Sequence, residues 1–289
     1  MTQYIKVALA QLRPALGDLA GNRDKHLTYI AKARRAGANL IVFPELGLTG
    51  YQLQDLTLDV ARPLSDPDIA SLVAESRDID IVFSFVEESP AHAFYITAAY
   101  ASKGQLVHRH RKVYLPTYGM FDEGRYFAAG DTFRTFSTQF GTAGMLICED
   151  AWHVTSPYLL TAGGANLLIL PSNSPARSVT DIDHFGSQAF WRKLIQVYAQ
   201  LFSVNMIFVN RVGFEDGVSF FGGSGVVSAS GEWVAEAPTL EEALVFAEVD
   251  VQAVRRARFI SGVARDEKPG LVLNELQRLQ DEWRREAAR

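Results

Sequence analysis

A series of short apolar runs, separated by helix-like segments, constrains this chain more than any other feature. Ile5–Gln11 (IKVALAQ) is too short for a core helix and suits a buried strand. Asn39–Phe43 (NLIVF), closed by Pro44, and Ile79–Val86 repeat the pattern. Asn22 is expected to cap a helix running to about Ala36, with Leu27, Ile30, Ala31 and Ala33 facing inward and Gly37 as its stop. A second helix is expected from Asp66 to about Ser76, then a hairpin of Phe94–Ala101 and Gln105–His110 around Ser102–Gly104. The second half repeats the scheme, with strands at Thr142–Ile147, Asn166–Leu170 and Met206–Asn210. A short helix at Pro157–Ala162 and a long one from Asp181 to about Ser203 lie between them. Val218–Ser228, Glu232–Ala237 and Leu244–Val249 read as late hairpin strands. Strands alternating with helices, followed by hairpins, imply a layered α/β architecture with a mixed sheet.

The 289 residues carry no internal repeat, low-complexity block or linker, so residues 1–289 are expected to form a single domain. A charged helical extension is expected at about 271–289, with Leu276, Leu279 and Trp283 at helical spacing. It suits docking on its own domain as well as it suits an oligomer contact. A net charge of −5 disfavours an extended nucleic-acid footprint. The opening MTQYIKVALAQL reads as a core strand rather than a leader, and no stretch reaches the roughly 20 apolar residues of a membrane span. A single cysteine leaves no intramolecular disulfide and points to a reducing, cytoplasmic setting.

Chemistry concentrates where strands end. Glu45 follows NLIVF and Pro44, Lys112 ends the run His108-Arg109-His110-Arg111-Lys112, and Cys148 follows Thr142–Ile147. Open α/β sheets place ligands beyond the carboxyl ends of their strands. A thiol attacks a carbonyl as thiolate, which an ammonium favours and a carboxylate base can generate. The ammonium also stabilises a developing oxyanion. Taken singly, each has a plainer reading: a buried filler cysteine, a solvated loop glutamate, an exposed basic strand. His153 and His184 lack the spacing of a metal site, so neither metal nor other cofactor is expected. Gly222-Gly223-Ser224-Gly225 precedes a strand-like segment, so it reads as a tight turn rather than a phosphate cradle.

Three blocks together change the balance. Phe43-Pro44-Glu45-Leu46 with Thr49-Gly50-Tyr51, Arg111-Lys112-Val113-Tyr114-Leu115-Pro116, and Cys148-Glu149-Asp150-Ala151-Trp152 resemble, in order and separation, the signature blocks of the nitrilase (carbon–nitrogen hydrolase) superfamily. The resemblance implies a four-layer α-β-β-α sandwich, often dimeric, with Glu45, Lys112 and Cys148 as catalytic residues. It also implies a second carboxylate after the lysine block, here Glu123. The stretch from Tyr118 to Phe127, with Pro171-Ser172-Asn173-Ser174-Pro175, resembles the glutaminase domain of glutamine-dependent NAD synthetases. By that resemblance Tyr118, Phe121, Glu149 and Ser174 line the substrate pocket. Glu149 or Asp150 could supply the base in place of Glu45, but Glu149 is read as a substrate-binding residue and Asp150 as a structural hydrogen-bonding one. An arginine of that pattern is replaced by Thr180, with Arg177 nearby as a substitute. No ATP-binding domain or phosphate loop follows, so the chain is not expected to make NAD alone. The expected activity is hydrolysis of a non-peptide amide, an ω-amide such as glutamine included, through a thioester. The alternatives are a glutaminase subunit feeding a separate synthetase, a nitrilase, and a catalytically silent binding module.

Overall fold

The structure is a computed structural model that describes residues 4–177, 179–181 and 184–287. Its principal strands are β1 (Tyr4–Gln11), β2 (Leu40–Val42), β3 (Asp80–Glu88), β4 (Phe94–Ser102), β5 (Gln105–Arg111), β6 (Thr135–Thr138), β7 (Gly141–Met145), β8 (Leu167–Ser172), β9 (Asn205–Asn210), β10 (Gly225–Val227), β11 (Trp233–Glu236) and β12 (Ala243–Asp250). The principal helices are α1 (Leu19–Arg35), α2 (Pro67–Ala74), α3 (Thr155–Ala162), α4 (Gly186–Leu201), α5 (Ala253–Ser261) and α6 (Pro269–Ala287).

The strands form two 6-stranded sheets, ordered β12-β1-β2-β3-β4-β5 and β11-β10-β9-β8-β7-β6. Each has a parallel centre, β1-β2-β3 in one and β7-β8-β9 in the other, with antiparallel pairs outside. Alternation along the strands explains the layering. Val7, Leu9, Val42 and Val82 share a buried cluster with Met145, Ile169 and Phe208 of the second sheet. Their neighbours Ala8, Ala10, Ile41 and Phe83 point the other way and pack with Ile30 and Ala33 of α1 and Ile69 and Leu72 of α2. On the far side Leu160 of α3 and Trp191, Ile195 and Tyr198 of α4 complete the core. The result is the α-β-β-α sandwich.

Several boundaries differ from the sequence reading. Helix α1 begins at Leu19, capped by Asp18, whose side chain accepts from Gly21 N. Asn22 lies inside the helix and is buried, spending its amide on Ala15 and on Leu48 O. The long helix begins at Gly186 rather than Asp181, because Val179–Asp181 and His184–Phe185 pair as short strands. Val218–Ser228 divides into Val218–Phe221, which pairs with Val212–Glu215, and β10. Helix α6 does not dock on the body: none of its described residues is buried.

Candidate active site

Three strand ends converge on one buried centre. The chain leaves β2 through Phe43 and Pro44, and Leu46 turns it sharply with φ of 45°. Leu46 N donates to Ser84 Oγ on β3 at 3.0 Å, fixing the turn that carries Glu45. At the end of β5, Lys112 N bonds Ile96 O at 2.9 Å while Gly130 N bonds Lys112 O at 2.7 Å. A Cβ on Gly130 would lie 2.3 Å from Arg111 O, so only glycine admits this approach. Beyond β7, Leu146 N bonds Ile169 O, and Cys148 adopts φ of 43° at the head of a single 3-10 turn. A non-glycine residue held in the left-handed region stores strain, and such residues cluster at functional sites.

One carboxylate ties two of these strand ends together. Asp150 Oδ2 accepts from Ile147 N at 2.9 Å and from His110 Nε2 at 2.8 Å. Its Oδ1 accepts from Val113 N and Tyr114 N, both at 3.0 Å. The turn bearing Cys148 is thereby fastened to the backbone that follows Lys112.

Within the centre, Lys112 Nζ donates to Glu45 Oε1 and to Glu123 Oε1, both at 2.7 Å. Tyr51 OH donates to the same Glu123 oxygen at 2.5 Å. Glu45 Oε2 and Glu123 Oε2 are buried without a hydrogen-bond partner among the described residues. Burial pulls the Lys112 pKa down, but the facing charges of Glu123 and Glu45 outweigh it and hold the ammonium well above its ordinary range. Burial pushes Glu123 up to about 7, and the Glu45 charge adds to the rise while Lys112 opposes it. Burial also raises the Cys148 thiol, as does Glu45. Lys112, the Ser172 hydroxyl and the Asn173 backbone work in the opposite sense. The surroundings of Cys148 thus favour the thiol over the thiolate.

Cys148 opens into a cavity of about 450 Å³ lined by Tyr118, Phe121, Glu149, Ser174, Arg177 and Trp191, among others. All four pocket residues expected from the sequence therefore share it. Tyr118 OH donates to Glu149 Oε2 at 2.8 Å, and Trp191 Nε1 donates to Ser174 Oγ at 2.6 Å. The Arg177 guanidinium sits 4.8 Å from the centre of the Phe121 ring. Trp152, His153 and Trp191 also line the cavity, and the sequence reading gave none of them a place in the pocket. Trp191 belongs to the inward face of α4, where an aromatic residue reads simply as core. Among the described residues no group of three or more His, Cys, Asp or Glu side chains could hold a metal, and no helix is long and apolar enough to cross a membrane. The side chains of Thr180 and His184 lie outside what is described.

The family described as carbon-nitrogen hydrolase matches residues 6–259. The chain belongs to the carbon–nitrogen hydrolase family. A glutamine-dependent NAD(+) synthetase of Thermotoga maritima is 31% identical over 261 residues, which is 89% of this chain and 44% of that protein. The chain thus spans about half the length of the first curated relatives it matches. An N-carbamoylputrescine amidase of Oryza sativa is 28% identical, covering 92% of this chain and 93% of that protein. The crystal structure of a carbon-nitrogen hydrolase from Helicobacter pylori shares the fold, with a TM-score of 0.86, 24% identity and coverage of 94% and 98% of the two chains. The protein is a hydrolase of carbon–nitrogen bonds.

Proposed function

We propose that the chain is a cysteine-dependent amidase acting on an ω-amide such as that of glutamine, with Cys148 as nucleophile, Glu45 as general base and Lys112 as oxyanion donor. The observation that carries this reading is the division of labour on Glu45: one oxygen is held by Lys112 at 2.7 Å while the other is buried and unpartnered. That free oxygen takes the thiol proton as sulfur attacks the amide carbon. The carbonyl oxygen becomes an oxyanion beside Lys112, joined by backbone N–H groups of the turn after Cys148. The C–N bond breaks as Glu45 returns the proton to nitrogen, and ammonia leaves a thioester. Water, deprotonated by Glu45, then attacks the thioester and releases the acid and the thiol. Glu123 keeps the ammonium from collapsing onto Glu45 alone.

The cavity supports the substrate class. Glu149 and Tyr118 suit an α-ammonium, Arg177 an α-carboxylate, and Phe121 the methylenes between. Nitrile hydrolysis on the same machinery is less favoured, given the likeness to glutamine-dependent NAD(+) synthetases. The match to less than half of a glutamine-dependent NAD(+) synthetase favours a second reading, in which the released ammonia serves a separate synthetase. The chain is read as one hydrolase domain with a helical extension at about 271–289, homo-oligomeric and cytoplasmic, where a lone thiol stays reduced.

The test is intact-mass detection of an acyl-Cys148 adduct across L-glutamine, other ω-amides and small aliphatic amides. L-Glutamine should acylate the parent protein. Cys148→Ala and Cys148→Ser should fold and form no adduct and no ammonia. Turnover surviving in either variant would rule out the thiol mechanism. Stimulation of ammonia release from glutamine by a co-purifying synthetase would favour the second reading.

A further inference from the structure

The buried pair Arg211–Glu215 has no part in the chemistry above, yet it reaches the catalytic centre through one turn. Glu215 closes the strand Val212–Glu215, hairpin partner of Val218–Phe221. Its Oε1 accepts from Tyr51 N and from Gln52 N, each at 2.8 Å. Its Oε2 accepts from Arg211 Nη1 at 2.7 Å. The gripped turn starts at Gly50 with φ of 79°, where a Cβ would lie 2.9 Å from Leu16 Cα and 3.0 Å from Glu215 Oε2. Tyr51 OH then donates to Glu123 Oε1, the oxygen that also accepts from Lys112 Nζ. A parallel contact runs through rings: Arg211 lies 4.3 Å from the centre of Phe220, which meets Tyr51 edge-on at 6.3 Å.

Stability alone does not account for this pair. Arg211 is 0% exposed, and its Nε and Nη2 find no hydrogen-bond partner among the described residues. Unsatisfied buried donors carry a desolvation cost, and apolar replacement of a whole buried ion pair is often neutral or stabilising. What the pair does provide is a fixed location. A carboxylate that accepts two successive amides on one oxygen and a guanidinium on the other has no rotation left.

We propose that Glu215, clamped by Arg211, is a positioning residue of the hydrolase centre, fixing the Gly50–Gln52 turn so that Tyr51 holds Glu123 against Lys112. The inference rests on the catalytic reading of Lys112 and Cys148.

Four variants test it: Glu215→Ala, Tyr51→Phe, their double variant, and Arg211→Met combined with Glu215→Met, which removes both charges and leaves apolar groups to keep the fold. Two rates are read, ammonia release from L-glutamine and alkylation of the sole cysteine by iodoacetamide followed by intact mass. Glu215→Ala should lower kcat roughly tenfold or more while KM moves less than about twofold. The double-Met variant should melt close to the parent and show the same loss. In the Tyr51→Phe background Glu215→Ala should add less than about a further twofold, because both act through one hydroxyl. Parent-like rates in the folded double-Met variant, or fully multiplicative losses in Glu215→Ala with Tyr51→Phe, would overturn the proposal. A parent inert to glutamine but fast with iodoacetamide would count against the substrate reading only, and the alkylation rates would still decide the clamp.

Discussion

At the scale of single residues the centre is governed by two carboxylates sharing one ammonium. Glu123 is pushed from 4.5 to about 7, facing Lys112, Glu45 and the Tyr51 hydroxyl. The folded protein therefore binds this proton more tightly than the unfolded chain does. Its contribution to stability is complete below pH 4.5 and is lost as pH rises through about 7. Glu123→Gln cannot titrate, so urea midpoints at pH 5 and pH 8 should differ less in the variant than in the parent. Equal pH slopes would show that Glu123 ionises without cost. Arg177 belongs to the same scale. If its guanidinium receives an α-carboxylate, Arg177→Ala should lower kcat/KM for glutamine by roughly 10- to 100-fold, mostly through KM. A small aliphatic amide, which lacks that group, should be hydrolysed at the parent rate. Equal losses on both substrates would show that Arg177 shapes the cavity through its contact with Phe121 instead.

At the scale of elements, the site is an agreement between strand ends, and Asp150 enforces it. Asparagine at position 150 could still accept from Val113 N and Tyr114 N, but its NH2 would face the Ile147 N–H and the His110 ring. Opposing donors in a fully buried position should cost about 3 kcal/mol, with turnover falling by at least roughly tenfold as the Cys148 turn loosens. Urea melts with initial rates check this, and a stable, fully active Asp150→Asn would remove the latch from the account. The strand ends themselves were legible in the sequence, because short apolar runs closed by Pro44 or by a change to charged residues mark where buried strands stop. Asp150 was legible as structural, though not its four partners. What escaped the sequence depends on distant partners. Asn22 follows Gly21 as a cap would, but tertiary bonds to Ala15 and Leu48 O use its amide, and Asp18 caps instead. Glu215 looks like an ordinary hairpin-end carboxylate until the fold sets it against amides 164 and 163 residues away. Tyr51 could be matched to a motif, but its hold on Glu123 is a product of that same folding.

At the scale of the molecule, the two sheets enclose a continuous core, while the C-terminal segment stands apart from it. Phe259 is 85% exposed and Ile260 82%, and Leu273, Leu276 and Trp283 of α6 are exposed beside polar residues at helical spacing. Since α6 buries none of its described residues, it contributes little to the unfolding free energy of the sandwich. Since it presents a row of large apolar side chains, leaving it in water is unfavourable, and covering it with a second copy of the chain removes that cost. These two statements separate in one experiment. Truncation after Lys268 should leave the melting temperature and the turnover per chain close to those of the full chain. If copies of the chain pair through this face, the same truncation should also lower the sedimenting mass. A truncated protein that melts far earlier would mean that α6 supports the sandwich after all. One that keeps both its stability and its assembly would move the contact between copies elsewhere, to the outer faces of α3 and α4, where Leu159, Phe190 and Val197 are also exposed.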